Sequence, residues 1–201
     1  MTSTACKNAI EKIRSNGGMI RTADAIQNGI HPRTLYDLRD SGTVERISRG
    51  LYRLAELAAI SNPDLVTVAS RVPNAVICLI SALSYHDLST QIPHVVSIAI
   101  QRDSRNPRID YPPISVHQFS SESYAAGIEK HDIDGVLVKI YNPEKTIADC
   151  FKFRNKIGMD VVIEALKLYR SRQQFNLEKL LTYAEVCRVK NIITPYLEAT
   201  I

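Results

Sequence analysis

Arg46, Arg49 and Arg53 stand within eight residues of one another with no acid between them. Upstream, Arg33, Thr34 and Tyr36 follow Pro32, and Arg21 precedes Thr22. A guanidinium can hold a phosphate, or grip the edge of a guanine in two-pronged fashion, and a threonine methyl can meet the methyl of thymine. These residue types therefore point to recognition of a polyanion, with double-stranded DNA as the first partner to consider. None of them is arranged to make or break a bond.

The order of elements that would position these groups is a helix-turn-helix followed by a basic hairpin. A first helix is predicted over residues 5–16, with Ala9, Ile10 and Ile13 on one face and Lys7, Glu11 and Arg14 opposite. Gly17-Gly18 ends it, and Met19-Ile20 reads as a short apolar connection. A second helix opens at Thr22, whose hydroxyl can cap free amides, and runs to about Asn28, before the break at Gly29. A third opens at Pro32, suited to a first helical position, with His31 where a Ser or Thr cap would be better. Gly42 ends it.

Within the third helix Leu35 and Leu38 must face the core with Ile30 and Val44. That leaves Arg33, Tyr36, Asp37 and Asp40 outside and Thr34 and Arg39 on the flanks. Asp37 and Asp40 would repel phosphate, so the helix is expected to enter a groove by its N-terminal end. Val44–Ser48 and Leu51–Leu54 then read as two strands of a wing turning at Arg49-Gly50, with Arg46 and Arg53 flanking the tip. The expected DNA contacts are Arg21, Thr22, Arg33, Thr34, Tyr36, Arg39, Arg46, Arg49 and Arg53. A charged solvated helix and a hairpin that merely covers helices would use the same residue types.

Turn chemistry at Ser61-Asn62-Pro63-Asp64 marks a boundary, so a winged helix-turn-helix is expected over 1–58 and a larger unit over 62–201. In that unit helices are predicted over 64–71 and 75–88. Strands follow over 94–101, 114–119, 127–133 and 136–141, with Asp134-Gly135 as a hairpin turn. Residues 102–113 form a polar, proline-bearing loop. From Pro143 the chain reads as helices over 143–153, 159–170, 176–189 and 192–199, opened by Asn142-Pro143-Glu144 and by Asn176, with Thr194-Pro195 to cap or bend the last. The expected class is α+β, strand-rich over 62–141 and helical over 142–201.

The net charge of +4 is concentrated early: residues 1–60 hold nine Lys/Arg against six Asp/Glu. No apolar run approaches the roughly 20 residues that span a bilayer, and the first residues lack the apolar core of a secretory signal. No membrane partner and a cytoplasmic location are therefore expected. Cys6, Cys78, Cys150 and Cys187 are scattered, without zinc spacing, and read as reduced structural thiols, Cys78 and Cys150 as small core hydrophobes. The five histidines show no metal spacing either. Ser81, Ser84, His86 and Asp87 resemble a triad in type only, because side chains on one helix point out at separate angles. Asp134 to Lys139 lacks the second acid a metal-dependent nuclease needs. The chain is expected to be no enzyme and to use no cofactor or metal.

A second basic feature comprises Lys139, Lys145, Lys152, Arg154 and Lys156. Lys145 and Lys152 lie seven apart and so share a helical face, partly offset by Asp149, while Ile147, Ala148 and Phe151 face inward. The feature is either a solvated face or a patch for nucleic acid or an acidic partner.

The string IYNPEKTIADCFKFRNKIGMDVVIEALKLYRS, followed by FNLEKLLTYAEVCRV and PYLEA, resembles the C-terminal half of AbiEi antitoxins of bacterial type IV toxin–antitoxin systems. SALSYHDL and the N-terminal GGMIRTADAIQNGIHPRTLYDLRDSGTVERISRGLYRL fit as well. The resemblance implies a winged helix that binds inverted repeats in the promoter of its own operon and represses it. It also implies a C-terminal domain that counteracts a nucleotidyltransferase toxin without a stable complex. The chain lacks the Gly-Ser and paired-Asp signature of such a transferase, so it is similar to the antitoxin and not the toxin. Three readings stand: an autorepressor with an antitoxin domain, a transcriptional regulator whose larger domain senses a small molecule, and a nuclease targeted by its winged helix.

Overall fold

The computed structural model describes residues 4–57 and 60–199, so residue 58 and residues 200–201, which end the two expected units, lie outside the described residues. The first unit comprises α1 (Thr4–Ser15), β1 (Met19–Arg21), α2 (Thr22–Gln27), α3 (Pro32–Asp40), β2 (Val44–Ser48) and β3 (Leu51–Leu54). This order, with an antiparallel sheet β1–β3–β2, is a winged helix-turn-helix. Ala9 and Ile13 of α1 pack on Leu35 and Leu38 of α3, and Ile20, Ala25, Ile30, Val44, Tyr52 and Leu54 complete this core. Met19-Ile20, expected as a plain connection, is instead the edge strand β1, with Met19 opposite Arg53 and Ile20 opposite Tyr52. Both side chains are buried, and pairing satisfies backbone groups that a buried loop would leave open.

The larger unit begins with α4 (Pro63–Arg71), β4 (Val76–Ile77), α5 (Leu79–Tyr85), β5 (Val96–Gln101), β6 (Ile114–Phe119), α6 (Ser121–Ala125), β7 (Ile128–Ile133) and β8 (Val136–Tyr141). It ends with α7 (Pro143–Lys152), α8 (Arg154–Ile157), α9 (Met159–Arg170), α10 (Leu177–Val186) and α11 (Lys190–Ala199). A mixed sheet runs β6–β5–β4–β8–β7, with β5/β6 and β4/β8 parallel and the other pairs antiparallel. Asp134 and Gly135 both take positive φ, as the tight β7–β8 turn requires.

Several expectations change, and the short helix α8 falls where none was expected. The helix predicted over 75–88 is a short strand, β4, followed by α5. The run from Ala75 to Leu83 is buried except at half-buried Ile80, so its near-continuous apolar pattern carries no periodicity to separate strand from helix. Leu79, at φ 47°, turns the chain between the two. α6, in a stretch given no element, is capped by the Ser120 side chain, which accepts from the Ser123 amide. α11 runs through Pro195, and the Thr194 hydroxyl donates back to the Lys190 carbonyl (2.8 Å) rather than capping.

The two sheet faces have different covers. Ile77, Ile98, Ile100, Val138 and Ile140 pack with Leu65, Val66 and Val68 of α4, and Leu51 of the wing belongs to the same cluster. Val76, Ala99, Phe119 and Tyr141 face the helices, where Ile147, Ala148, Cys150 and Phe151 of α7 meet Val162, Ala165 and Leu166 of α9. α7 opens as the sequence suggests: Asn142 Oδ1 accepts from the Lys145 amide (2.9 Å), Pro143 stands in the first turn and Glu144 follows.

α7 is walled in by α5, α9, α10 and α11, so even its polar residues from Glu144 to Asp149 are buried. Lys145 is therefore no part of a solvated face: it is fully buried and bonds Asp149 one turn later (2.5 Å). Its ammonium also lies 4.3 Å from the centre of the Tyr141 ring and 4.9 Å from that of Phe119. Asp149 takes a second bond from the Cys187 thiol (3.1 Å). Burial pushes the Asp149 carboxyl pKa up while Lys145 pulls it down, and burial beside Asp149 pushes the Cys187 thiol up to about 12. Gly127, at φ 75°, lets its loop press on this lysine, because a Cβ there would stand 2.6 Å from the Lys145 Cβ.

Removing one partner of a buried pair strands the other charge, at a cost of about 3–5 kcal/mol. Lys145→Ala should show that loss in urea denaturation, whereas Lys152→Glu, at an exposed position, should stay within about 1 kcal/mol. Equal and small effects would contradict the buried assignment.

Candidate nucleic-acid interface

α3 presents its first turn outward as the leucine spacing requires. Leu35 and Leu38 are buried, while Arg33, Tyr36, Asp37, Arg39 and Asp40 are exposed and Thr34 is half-buried. His31 caps this helix after all: its Nδ1 accepts from the Arg33 amide (3.2 Å), which satisfies one of the free amides at the start of the helix. Arg39 bonds Asp40 through Nε and Nη2 (2.9 and 2.7 Å) and lies 5.4 Å over the Tyr36 ring. The bond to Asp40 raises the Arg39 pKa and occupies the fork that was expected to face DNA.

The wing turns at Arg49-Gly50, Gly50 at φ 79°, with a register shift between Arg46 and Ser48. Arg46 and Arg49 are exposed. Arg53 is not. It is 4% exposed and bonds Glu45 (2.7 Å) directly across the β2–β3 ladder, so it is removed from the phosphate-facing set. The reason is positional: β3 is the middle strand of its sheet, and all four of its residues are buried. The acid that neutralises Arg53 lies across the hairpin rather than between the arginines. Thr22 also departs from expectation. Arg21, not Thr22, occupies the N-cap of α2, and the Thr22 amide and hydroxyl both donate to the Gly50 carbonyl (2.9 and 3.4 Å), tying α2 to the wing turn.

Among the described residues, Arg21, Arg33, Arg46 and Arg49 of the expected set have no carboxylate partner, whereas Arg14, Arg39 and Arg53 are each ion-paired. The unpaired four sit at the entry to α2, the first turn of α3 and the wing. Those are the places from which a winged helix reaches base edges and backbone.

The wing does not project freely. Ile47 and Leu51 pack against the apolar face of the larger unit. Arg71, at the end of α4, donates to the Arg49 carbonyl (3.4 Å). Arg46, Arg49, Arg71, Asp110 and Tyr111 share the walls of a groove of about 240 Å³. Arg71 was not singled out in the sequence, where it reads as an ordinary basic residue in a last helical turn.

The second basic feature is not one patch. Lys145 is buried, as described. Lys139, half-buried on β8, donates to the Pro73 carbonyl (2.9 Å). Lys156 lies 5.9 Å over the Phe153 ring. Lys152 and Arg154 do come together, with Arg102, Arg188 and Glu122, around a separate pocket. Arg102 and Arg188 are distant in sequence and carried no local signal. Ser81 and His86 serve the fold: Ser81 Oγ accepts from the Ser97 amide (2.9 Å), and His86 Nε2 bonds the Tyr141 carbonyl (2.8 Å). Burial lowers the His86 pKa. Among the described residues no three His, Cys, Asp or Glu are grouped to hold a metal, and no helix is long and apolar enough to cross a membrane.

Comparison with curated proteins finds no match. Among solved structures, the chain is similar to the RV2827C protein from Mycobacterium tuberculosis, with a TM-score of 0.58 over 98% of this chain and 82% of that one. At 14% identity this is a likeness of fold. Residues 8–55, which carry the helix-turn-helix and wing, match the family model described as "Transcriptional regulator, AbiEi antitoxin", and this match supports a regulatory role.

Proposed function

We propose that this chain is a DNA-binding transcriptional regulator that represses its own operon and counteracts a nucleotidyltransferase toxin, and that it acts without catalysis. The observation that carries the DNA part is the partition of arginines. Within the winged helix, those buried or beside carboxylates are neutralised, and the four left without an acid occupy the groove-entering helix ends and the wing. Guanidiniums outside ion pairs remain available to phosphate, although Asp110 shares the groove of Arg46 and Arg49. The family match over residues 8–55 supports the same reading. The antitoxin part rests on the resemblance of the segments from Ile140 onward, and the division of labour assigns it to the larger unit. The toxin is a functional partner rather than a bound subunit.

Binding is measured by fluorescence anisotropy on the duplex upstream of the chain's own gene and on a random duplex, across a salt series. Arg49→Ala should weaken both and flatten the slope of log K against log salt by about 0.9 for one lost phosphate contact. Arg33→Ala should reduce discrimination between the duplexes by about 1–3 kcal/mol. Unchanged affinity and slope in both variants, with native circular dichroism, would overturn the assignment. In cells carrying the toxin, the full chain with both substitutions should lose repression and still protect. Loss of protection along with repression would show that the two roles are not divided between the units.

A further inference from the structure

Arg102, Lys152, Arg154 and Arg188 line one pocket of about 410 Å³, together with Ser120, Glu122, Val186, Cys187, Val189 and Ile192. The cations arrive from separate parts of the chain: one just after β5, two at the α7–α8 junction and one in the α10–α11 connection. Among the described residues none of the four is in an ion pair, and Arg154 spends one Nη1 bond on the Phe151 carbonyl (2.9 Å). Lys152 also lies 6.0 Å over the Phe119 ring, and the excess of positive charge around the pocket favours an anion there.

The place of the pocket in the fold is the second observation. β5 and β6 are parallel neighbours, ending at Gln101 and Phe119. The pocket walls begin with the very next residues, Arg102 and Ser120. It thus lies beyond the carboxyl ends of this parallel strand pair.

We propose that this pocket binds a small organic di- or triphosphate of the nucleotide class. The cations supply forked and pointed donors for phosphoryl oxygens. Val186, Val189 and Ile192 line an apolar wall for the body of the ligand. Among the described lining residues Glu122 is the only one with a carboxylate, and it accepts from a hydroxyl or amino group there. The volume falls within the roughly 300–1,000 Å³ of small-molecule sites, and the concave walls suit a compact ligand rather than an extended strand.

The test is isothermal titration calorimetry of the full chain with ADP, GTP, inorganic pyrophosphate and a single-stranded oligonucleotide at fixed ionic strength. ADP or GTP should bind saturably, with pyrophosphate weaker because it leaves the apolar wall uncovered. Arg102→Ala with Arg188→Asn should weaken nucleotide binding at least tenfold. Asparagine is chosen because Arg188 takes φ 59°, a conformation that it tolerates. Lys152→Gln, at an exposed position, gives a second reading should the double variant fold poorly. Arg49→Ala, outside the pocket, should bind nucleotide as before, which separates this result from failure of the DNA-binding reading. The proposal is overturned by any one of three results: no saturable nucleotide binding up to about 1 mM, equal binding by the pocket variants, or displacement of nucleotide by a tighter-binding oligonucleotide.

Discussion

The buried ion pair of Lys145 with Asp149 is the constraint around which the larger unit is arranged. A charge out of water must find its partners within the protein, and here they come from several elements. α7 supplies both charges, the connection after α10 supplies the Cys187 thiol, and the Tyr141 and Phe119 rings take the ammonium on their faces. Nearby, Glu144 accepts from the Tyr169 hydroxyl of α9 (2.7 Å) and pairs with Lys179 of α10 (3.1 Å). Polar bonds with fixed geometry thus register α7 against its neighbours, where apolar packing alone would tolerate sliding.

The winged helix is held by a different device. Leu51 is buried in the core of the larger unit although it begins the strand that centres the winged helix's own sheet. Burying a leucine side chain is worth about 1.5–3 kcal/mol, and Ile47 adds to that contact. The linker is tied down too: the Ser61 amide and hydroxyl both donate to Asp134 in the β7–β8 turn (2.8 and 2.9 Å). The wing is therefore held in an orientation set by the larger unit.

Much of this was legible in the sequence, for reasons that single residues make plain. Leu35 and Leu38 assign the faces of α3 because an exposed two-turn helix has one apolar stripe. Asn142-Pro143-Glu144 starts α7 because each residue suits its local position. Arg53 and Lys145 were misplaced for the same reason as each other: local spacing says which side of an element a residue takes, not how many neighbours cover that element. β3 is flanked on both sides, and α7 is surrounded, so residues that would be exposed on an edge strand or a surface helix are buried. Asp149, one turn on, is legible as an offset to Lys145, whereas the pairing of Glu45 with Arg53 across the ladder is revealed only by the fold. The pocket of Arg102 and Arg188 had no signal at all, since it is assembled from segments far apart in the chain.

The central claim, that the α3 entry and the wing form the DNA-binding surface, is tested most directly by hydrogen–deuterium exchange of the full chain with and without the duplex upstream of its gene. The account predicts slower exchange at the amides of residues 21–23, 33–36 and 46–51 on binding, lost when salt releases the duplex. Protection confined to the larger unit, with those three stretches unchanged on a bound duplex, would contradict it.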